Sequence, residues 1–230
     1  MYLSIDQSTS SSTIFLYNKK FKLISKYSKP HKQIQKSYGY VEHDANEIIS
    51  NIFFLVRKIS KKIKFEKDLF LSITNQRETF VIFDKNSGKP LHNAIVWQCR
   101  RGQKVCDKIN KSIKNKKLIK KKTGLTLDTY FPASKLIELL NSNKKIKDKL
   151  KNGTALFGTI DTYLIYRLTN QKIYCTDFTN ASRTLFFDNS SLCWSKDLLK
   201  LFNLNFKILP EVRESSSIFG YTNFNGLLKN

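Results

Sequence analysis

YLSIDQSTSSSTIFLYNKKFKLISKYS, residues 2–28, sets the architecture of the chain's opening. A short apolar run, YLSI (2–5), enters a polar turn, DQSTSSS (6–12), and two further runs follow, TIFLYN (13–18) and KLISKYS (22–28). Runs rich in β-branched and aromatic residues, separated by small polar ones, predict strand, turn, strand. The turn has chemical content. Asp6-Gln7-Ser8-Thr9-Ser10-Ser11-Ser12 would present consecutive backbone N–H groups and small hydroxyls in one direction, which suits phosphate oxygens. Asp6, at the strand end, could accept a hydrogen bond from water on Mg²⁺, an ion that keeps most of its water shell. On this segment alone, a Ser/Thr-rich surface turn is the better reading.

Downstream, residues 31–40 read as loop. Asp44 opens a helix: D-A-N-E places Glu47 three residues after the cap, the capping-box spacing. Ile48, Ile49, Ile52, Phe53, Leu55, Val56 and Ile59 keep helical spacing to about residue 62. Strands are predicted at 69–74 (LFLSIT), 79–83 (TFVIF) and 94–97 (AIVW), with a turn at 84–90. Residues 100–150 read mostly as helices, one of them starting at Pro132. A further helix covers 159–169, then short strands near 173–175 and 184–187, a helix at 195–202 and a loop-like tail. The order β-β-β-α-β-β predicts an α/β domain on a mixed sheet, with a helical insertion at about 100–150.

Composition narrows the class. The chain has 230 residues, 40% of them hydrophobic, enough for a large core despite a net charge of +23. No run approaches the roughly 18 uninterrupted apolar residues of a membrane span, and the start lacks a basic, then apolar, signal pattern. A soluble cytoplasmic protein is expected. Cys99, Cys106, Cys175 and Cys193 form no C-x-x-C pair, and His31, His43 and His92 are not spaced with them as zinc ligands. Four reduced thiols are expected.

Lysines cluster at 58–67, 114–122 and 144–153. A basic surface can serve nucleic acid or an anionic membrane, but these clusters lack the interleaved aromatics of a single-strand groove. Abundant Lys, Asn, Ile and Phe match what A+T-rich codons favour, so solvated helix faces are expected and nucleic acid is not. Either way the charge would draw an anionic nucleotide.

The Asp6 turn resembles the D-Q-G-T-T-S-S-R phosphate loop of glycerol kinases, members of the FGGY carbohydrate kinases with the actin/hexokinase-like (ribonuclease H-like) fold. Ser8 stands where the family has Gly and Thr13 where it has Arg. A Cβ at the glycine position costs about 1 kcal/mol or more if the site needs positive φ. Other segments carry the same resemblance: V-E-H-D (41–44), I-T-N-Q-R-E-T (73–79), S-G-K-P-L-H-N-A-I-V-W-Q-C-R-R (87–101) and T-G-L-T-L-D-T-Y-F (123–131). It continues through L-F-G-T-I-D-T-Y-L-I-Y-R-L-T (156–169), T-D-F-T-N-A-S-R-T-L (176–185) and L-P-E-V-R-E-S-S (209–216), in family order along essentially the whole chain.

The resemblance implies ATP-dependent phosphorylation of glycerol to sn-glycerol 3-phosphate, with Mg²⁺, in a homo-oligomer. It implies that Arg77 and Glu78 hydrogen-bond the glycerol hydroxyls, that Trp97 packs on the carbons and that Tyr130 makes another hydroxyl contact. It implies Asp6, Gln7, Thr9, Ser10 and Ser11 at the nucleotide phosphates, with Asp6 reaching the metal through water. A guanidinium, a carboxylate and a triol are complementary. Side chains adjacent on a strand face opposite ways, so Arg77 and Glu78 can share a ligand only where the strand ends. Without the resemblance, the Arg-Glu pair would read as surface and Trp97 as core. Asp44 reads as a helix cap.

The family's proton acceptor is an Asp in a G-D-Q-Q segment, which does not occur in residues 1–230. The resemblance therefore covers the amino-terminal domain, 1–230, without the carboxy-terminal domain that closes over adenine, and it implies impaired activity for this chain alone. Two alternatives stand beside it, a non-catalytic remnant of a glycerol kinase and a related sugar kinase.

Overall fold

The computed structural model describes residues 1–63, 69–205 and 208–228. Strand β1 (Tyr2–Gln7) buries alternate residues, Leu3, Ile5 and Gln7. It pairs antiparallel with β2 (Ser11–Tyr17), which pairs antiparallel with β3 (Leu23–Pro30). Residues 31–40, expected as loop, instead carry β4 (Gln33–Ser37) and the start of β5 (Tyr40–His43), an antiparallel hairpin turning at Gly39. Strand β4 is an edge strand with four of its five residues exposed, so it has no apolar alternation to betray it.

Asp44 caps helix α1 (Ala45–Ser60), its side chain accepting from the Asn46 N–H at 2.8 Å. The reciprocal half of the capping box is not made. The Glu47 carboxylate accepts instead from the Lys32 N–H at 3.2 Å and ties the helix start to the link between β3 and β4. The apolar face of α1, from Ile48 to Ile59, is buried against the first sheet. Strand β6 (Phe70–Asn75) then pairs parallel with β1 in the register Tyr2↔Phe70 to Gln7↔Asn75. The first sheet has the mixed order β3-β2-β1-β6, and the carboxyl ends of β1 and β6 lie side by side.

A second sheet, β4-β5-β8-β7-β9, contains β7 (Phe80–Asp84), β8 (Ala94–Ile95) and β9 (Ala155–Thr159). Strand β9 was not foreseen because its sequence, ALFGT, runs straight into the helix signal that follows. A Cβ on Gly158 would lie 2.6 Å from the Thr162 methyl, so this strand packs too closely on the next helix for any side chain there. Strands β7 and β9 of this sheet are buried on both faces. Phe80, Ile82 and Phe157 enter one core, and Val81, Phe83 and Leu156 enter the other.

The helical insertion comprises α2 (Gln103–Asn110), α3 (Ile113–Thr123), α4 (Pro132–Ser142, with Pro132 in its first turn) and α5 (Lys144–Lys151). It packs on the first of these cores, with Leu136, Leu139, Ile146 and Leu150 inside. Helix α6 (Ile160–Leu168) packs in the second core beside α1. The remainder is β10 (Cys175–Asp177), α7 (Phe178–Ala181), β11 (Phe187–Asp188), β12 (Cys193–Trp194), α8 (Lys196–Leu201) and β13 (Glu211–Arg213). The tail is not all loop: β13 pairs parallel with β10, and Phe224 is buried.

All four cysteines are free, Cys193 exposed and the other three buried. Among the described residues no helix is long and apolar enough to cross a membrane. The lysine cluster at 58–67 lies partly outside the described residues; the other two lie on α3 and α5, whose buried faces are narrow.

Candidate active site

The carboxyl ends of parallel strands are where open α/β sheets bind ligands, and here β1 and β6 deliver the Asp6 turn and the Asn75–Thr79 segment to one edge. The turn is closed by Ser8, whose N–H and hydroxyl both donate to the Ser11 carbonyl, at 2.9 and 3.0 Å. Ser8 is not among the residues with positive φ. The serine that replaces the family's glycine therefore carries no left-handed strain, and its hydroxyl does structural work.

At the tip, both carbonyls are held by one residue. The His31 N–H donates to Ser10 O at 3.2 Å, and its ring Nε2–H donates to Thr9 O at 3.0 Å. The N–H groups of Thr9 and Ser10 make no bond among the described residues, which is what a phosphate cradle requires. The His31 ring meets His43 edge-on at 4.6 Å. His43 Nδ1 accepts from the Gln76 amide at 3.3 Å, leaving Nε2 buried without a partner among the described residues. Burial pushes His31 down and, with the charge of His31 adding to it, holds His43 at about 4, so both rings are neutral near pH 7.

Asp6 is half-buried, and its carboxylate has no partner among the described residues. Gln7 is different. Its amide donates to Ser8 O at 2.8 Å and accepts from the Gln76 amide at 3.0 Å inside the protein. It braces the turn from within, and its side chain is not available to a phosphate.

The second wall follows β6. Arg77 and Glu78 lie in the turn after the strand ends at Asn75, so the opposition of strand neighbours does not separate them. Arg77 is exposed, with no bond among the described residues. Glu78 is buried at φ 62, and its carboxylate accepts from Arg183 Nε at 2.6 Å. A positive φ in a non-glycine residue costs of order 1–3 kcal/mol and concentrates at functional sites. Thr79 then donates to the Gln76 side chain at 3.0 Å and accepts the Trp97 N–H at 3.1 Å.

Trp97 joins the two walls. Its indole N–H donates to the Thr9 hydroxyl at 3.0 Å, and its ring lies 5.5 Å from Tyr130 at a tilt of 58°. The Arg183 guanidinium sits 5.8 Å from the Tyr130 ring and 5.0 Å from Phe131. A chain of contacts thus runs from Thr9 through Trp97 and Tyr130 to Arg183 and Glu78. Beneath it lies Lys135, in the first turn of α4 and fully buried. Its ammonium donates to the carbonyls of Trp97, Thr129 and Tyr130 at 3.2, 2.8 and 2.7 Å. Burial pushes this lysine down to about 7, against the pull of Cys99, Glu78 and Asp128.

Lys135 and Arg183 were not singled out by sequence. Arg183 sits inside the quoted 176–185 segment, where nothing marks it against its neighbours. Lys135 leaves a signal: it is four residues before Leu139, on the buried face of α4, where an uncompensated cation is not tolerated. Gln76, Thr79 and His43 sit inside the quoted 73–79 and 41–44 segments without being marked as supports, and His31, between β3 and β4, has no sequence signature. Among the described residues no three His, Cys, Asp or Glu side chains could hold a metal. A cation here would have to rely on water and a ligand's phosphates, and the unpaired Asp6 carboxylate suits that role.

A model described as the FGGY family of carbohydrate kinases, N-terminal domain, matches residues 1–228. Glycerol kinase 1 of Thermotoga maritima is 43% identical over 229 residues, 99% of this chain and 46% of that protein. The structure of Plasmodium falciparum glycerol kinase with ADP superposes with a TM-score of 0.90 at 39% identity, over 96% of this chain and 44% of that one. The gluconate kinase of Lactobacillus acidophilus gives 0.88 at 22% identity, over 99% of this chain and 45% of that one, a likeness of fold alone. The chain spans less than half the length of these relatives.

Proposed function

Because the chain belongs to the FGGY family of carbohydrate kinases, with their actin/hexokinase-like fold, we propose that it forms the polyol-binding and phosphate-binding half of an ATP-dependent glycerol kinase. In that reaction a terminal glycerol oxygen forms a bond to the γ-phosphorus of ATP. The bond from that phosphorus to the β-phosphate oxygen breaks, its electron pair leaves with ADP, and the hydroxyl proton is released. The product is sn-glycerol 3-phosphate.

Each residue takes a role its chemistry allows. Arg77 offers forked donors and Glu78 acceptors to the hydroxyls, Tyr130 adds a phenol, and Trp97 lays its ring against the carbons. Thr9 accepts from the indole, so its own hydroxyl proton is free for a phosphate oxygen. The free tip N–H groups and the hydroxyls of Ser10 and Ser11 complete the cradle. Asp6 would hold Mg²⁺ through water; bound there with the phosphates, the ion supplies charge neutralisation. The proton acceptor is not assigned to any of residues 1–230. The same reading puts the protein in the cytoplasm, in a homo-oligomer.

The supporting observation is the bond from Trp97 to Thr9, which sets a polyol wall directly against a phosphate turn. Adjacency of this kind is what phosphoryl transfer needs, since positioning and electrostatics supply most of its rate. The test is glycerol-dependent ADP release by this chain joined to the remaining half of the Thermotoga maritima relative. Arg77→Ala should lower kcat/KM for glycerol by about a hundredfold, the loss of two charge-assisted hydrogen bonds. An unchanged rate would end the site assignment. Stronger competition by xylulose or gluconate than by glycerol would move the substrate to the sibling sugar kinases.

A further inference from the structure

We infer that Lys135 is the positioning residue of the polyol pocket: its ammonium fixes the Trp97 and Tyr130 rings relative to each other through the backbone carbonyls that carry them. The inference rests on reading those two rings as the polyol wall.

The geometry is one of matched valences. In its protonated form Lys135 has three N–H donors and no acceptor, and its Nζ meets three carbonyls, Trp97 O, Thr129 O and Tyr130 O. Two of these belong to the loop before α4, and the third belongs to the loop after β8, 38 residues away in sequence. No backbone bond joins Trp97 directly to residues 129–131; the lysine is the polar link between them. The rings it governs stand 5.5 Å apart, and one of them bonds Thr9.

Stability does not account for a lysine here. Helix α4 buries Leu136, Leu139 and Leu140 around it, and an apolar side chain in that stripe would avoid desolvating a cation. What the cation adds is directional: three carbonyls from two loops converge on one atom. That convergence sets where Trp97 and Tyr130 begin.

The inference separates from a space-filling role because the two order the same substitutions differently. Methionine matches the lysine stem in shape and donates nothing; glutamine is shorter but retains two N–H donors. If Lys135 only fills space, Lys135→Met should be the milder change. If it positions the rings, Lys135→Gln should be milder. Trp97 emission and acrylamide quenching are read in residues 1–230 carrying Trp194→Phe, so that a single indole reports, and glycerol affinity is read by calorimetry. Quenching should change in the order Met above Gln above wild type. The dissociation constant for glycerol should rise about tenfold with Met and about threefold with Gln. A Met variant indistinguishable from wild type in quenching, or milder than Gln, overturns the inference. If the Met variant does not fold, Lys135→Leu, which also donates nothing, takes its place: a Leu variant more disturbed than Gln supports the inference and one as mild as Gln or milder overturns it. Absence of glycerol binding in the unsubstituted chain sinks the polyol reading, while the quenching order still judges Lys135.

Discussion

Glu78 occupies a left-handed conformation, φ 62, with its carboxylate buried against Arg183. The preceding residue, Arg77, is exposed, so one turn holds an exposed and a buried charged side chain in succession. The motif placed both residues after the strand end, but Arg183, which fixes the direction of Glu78, comes from 105 residues away, and a single sequence carries no trace of that pairing. The same holds for the histidines under the phosphate turn. His43 is neutral in the fold, held near 4, against an ordinary value of about 6.5. A depressed folded value contributes stability that is complete above the unfolded value and is lost as pH falls towards the folded one. His43 should therefore contribute roughly 3 kcal/mol at neutral pH, lost between about pH 6.5 and 4. Glu42 follows at lower pH. Burial alone would raise it, but bonds from Arg101, Asn93 and Lys36 hold it at about 2, so its contribution fades only below about pH 4.5. Urea-unfolding midpoints measured from pH 7 to 4 should fall steeply in the natural chain and much less in His43→Phe. Parallel slopes in the two proteins would mean the ring is not buried neutral.

Elements with a strong apolar rhythm were legible from sequence: the opening hairpin, α1, β6, β7 and the insertion helices. Those that were not have physical reasons in common. Strand β4 is a polar edge, β9 merges into α6, and β13 is three residues held by one partner. The phosphate turn stands between these cases, since its position was readable but the fate of Ser8 was not. A serine where relatives have glycine implied a strained or obstructed cradle; the structure instead gives Ser8 an ordinary φ and a hydroxyl that closes the turn on Ser11. Ser8→Gly should consequently destabilise the hairpin, by about 1 kcal/mol, through the lost bond and the added freedom of glycine in the unfolded chain. Affinity for MgADP should change less than about twofold, because the free N–H groups of Thr9 and Ser10 are untouched. Thermal melting and calorimetry check the two halves separately. Tighter nucleotide binding by tenfold in the glycine variant would show that the Ser8 Cβ does intrude on the phosphate.

Across the whole molecule, one sheet organises both cores. Strand β7 sends Phe80 and Ile82 towards the helical insertion and Val81 and Phe83 towards α1 and α6, so TFVIF reads as a continuous apolar run, as a strand covered on both faces must. The site hangs from this sheet: Thr79 precedes β7, Trp97 follows β8, and Lys135 rises from the insertion. The charge is arranged differently. The buried Glu42 and Glu78 are paired, with Arg101 at 2.5 Å and Arg183 at 2.6 Å, and the buried Asp161 accepts from the Thr176 hydroxyl. Most lysines of α3 and α5, by contrast, are exposed, Lys122 and Lys149 being the ones that pair with carboxylates among the described residues. Screening acts mainly on exposed charges and hardly on buried pairs. With a net charge of +23, the exposed population is overwhelmingly self-repelling, and the compact state bears that repulsion more than the expanded one. Raising salt from about 20 to 200 mM shortens the Debye length from roughly 20 to 7 Å. It should raise the melting temperature by several degrees, the equivalent of about 1–2 kcal/mol in a domain of this size. A melting temperature that falls with salt would mean that attractive surface pairs outweigh the lysine repulsion, and the helical faces could then no longer be read as solvated, unpartnered charge.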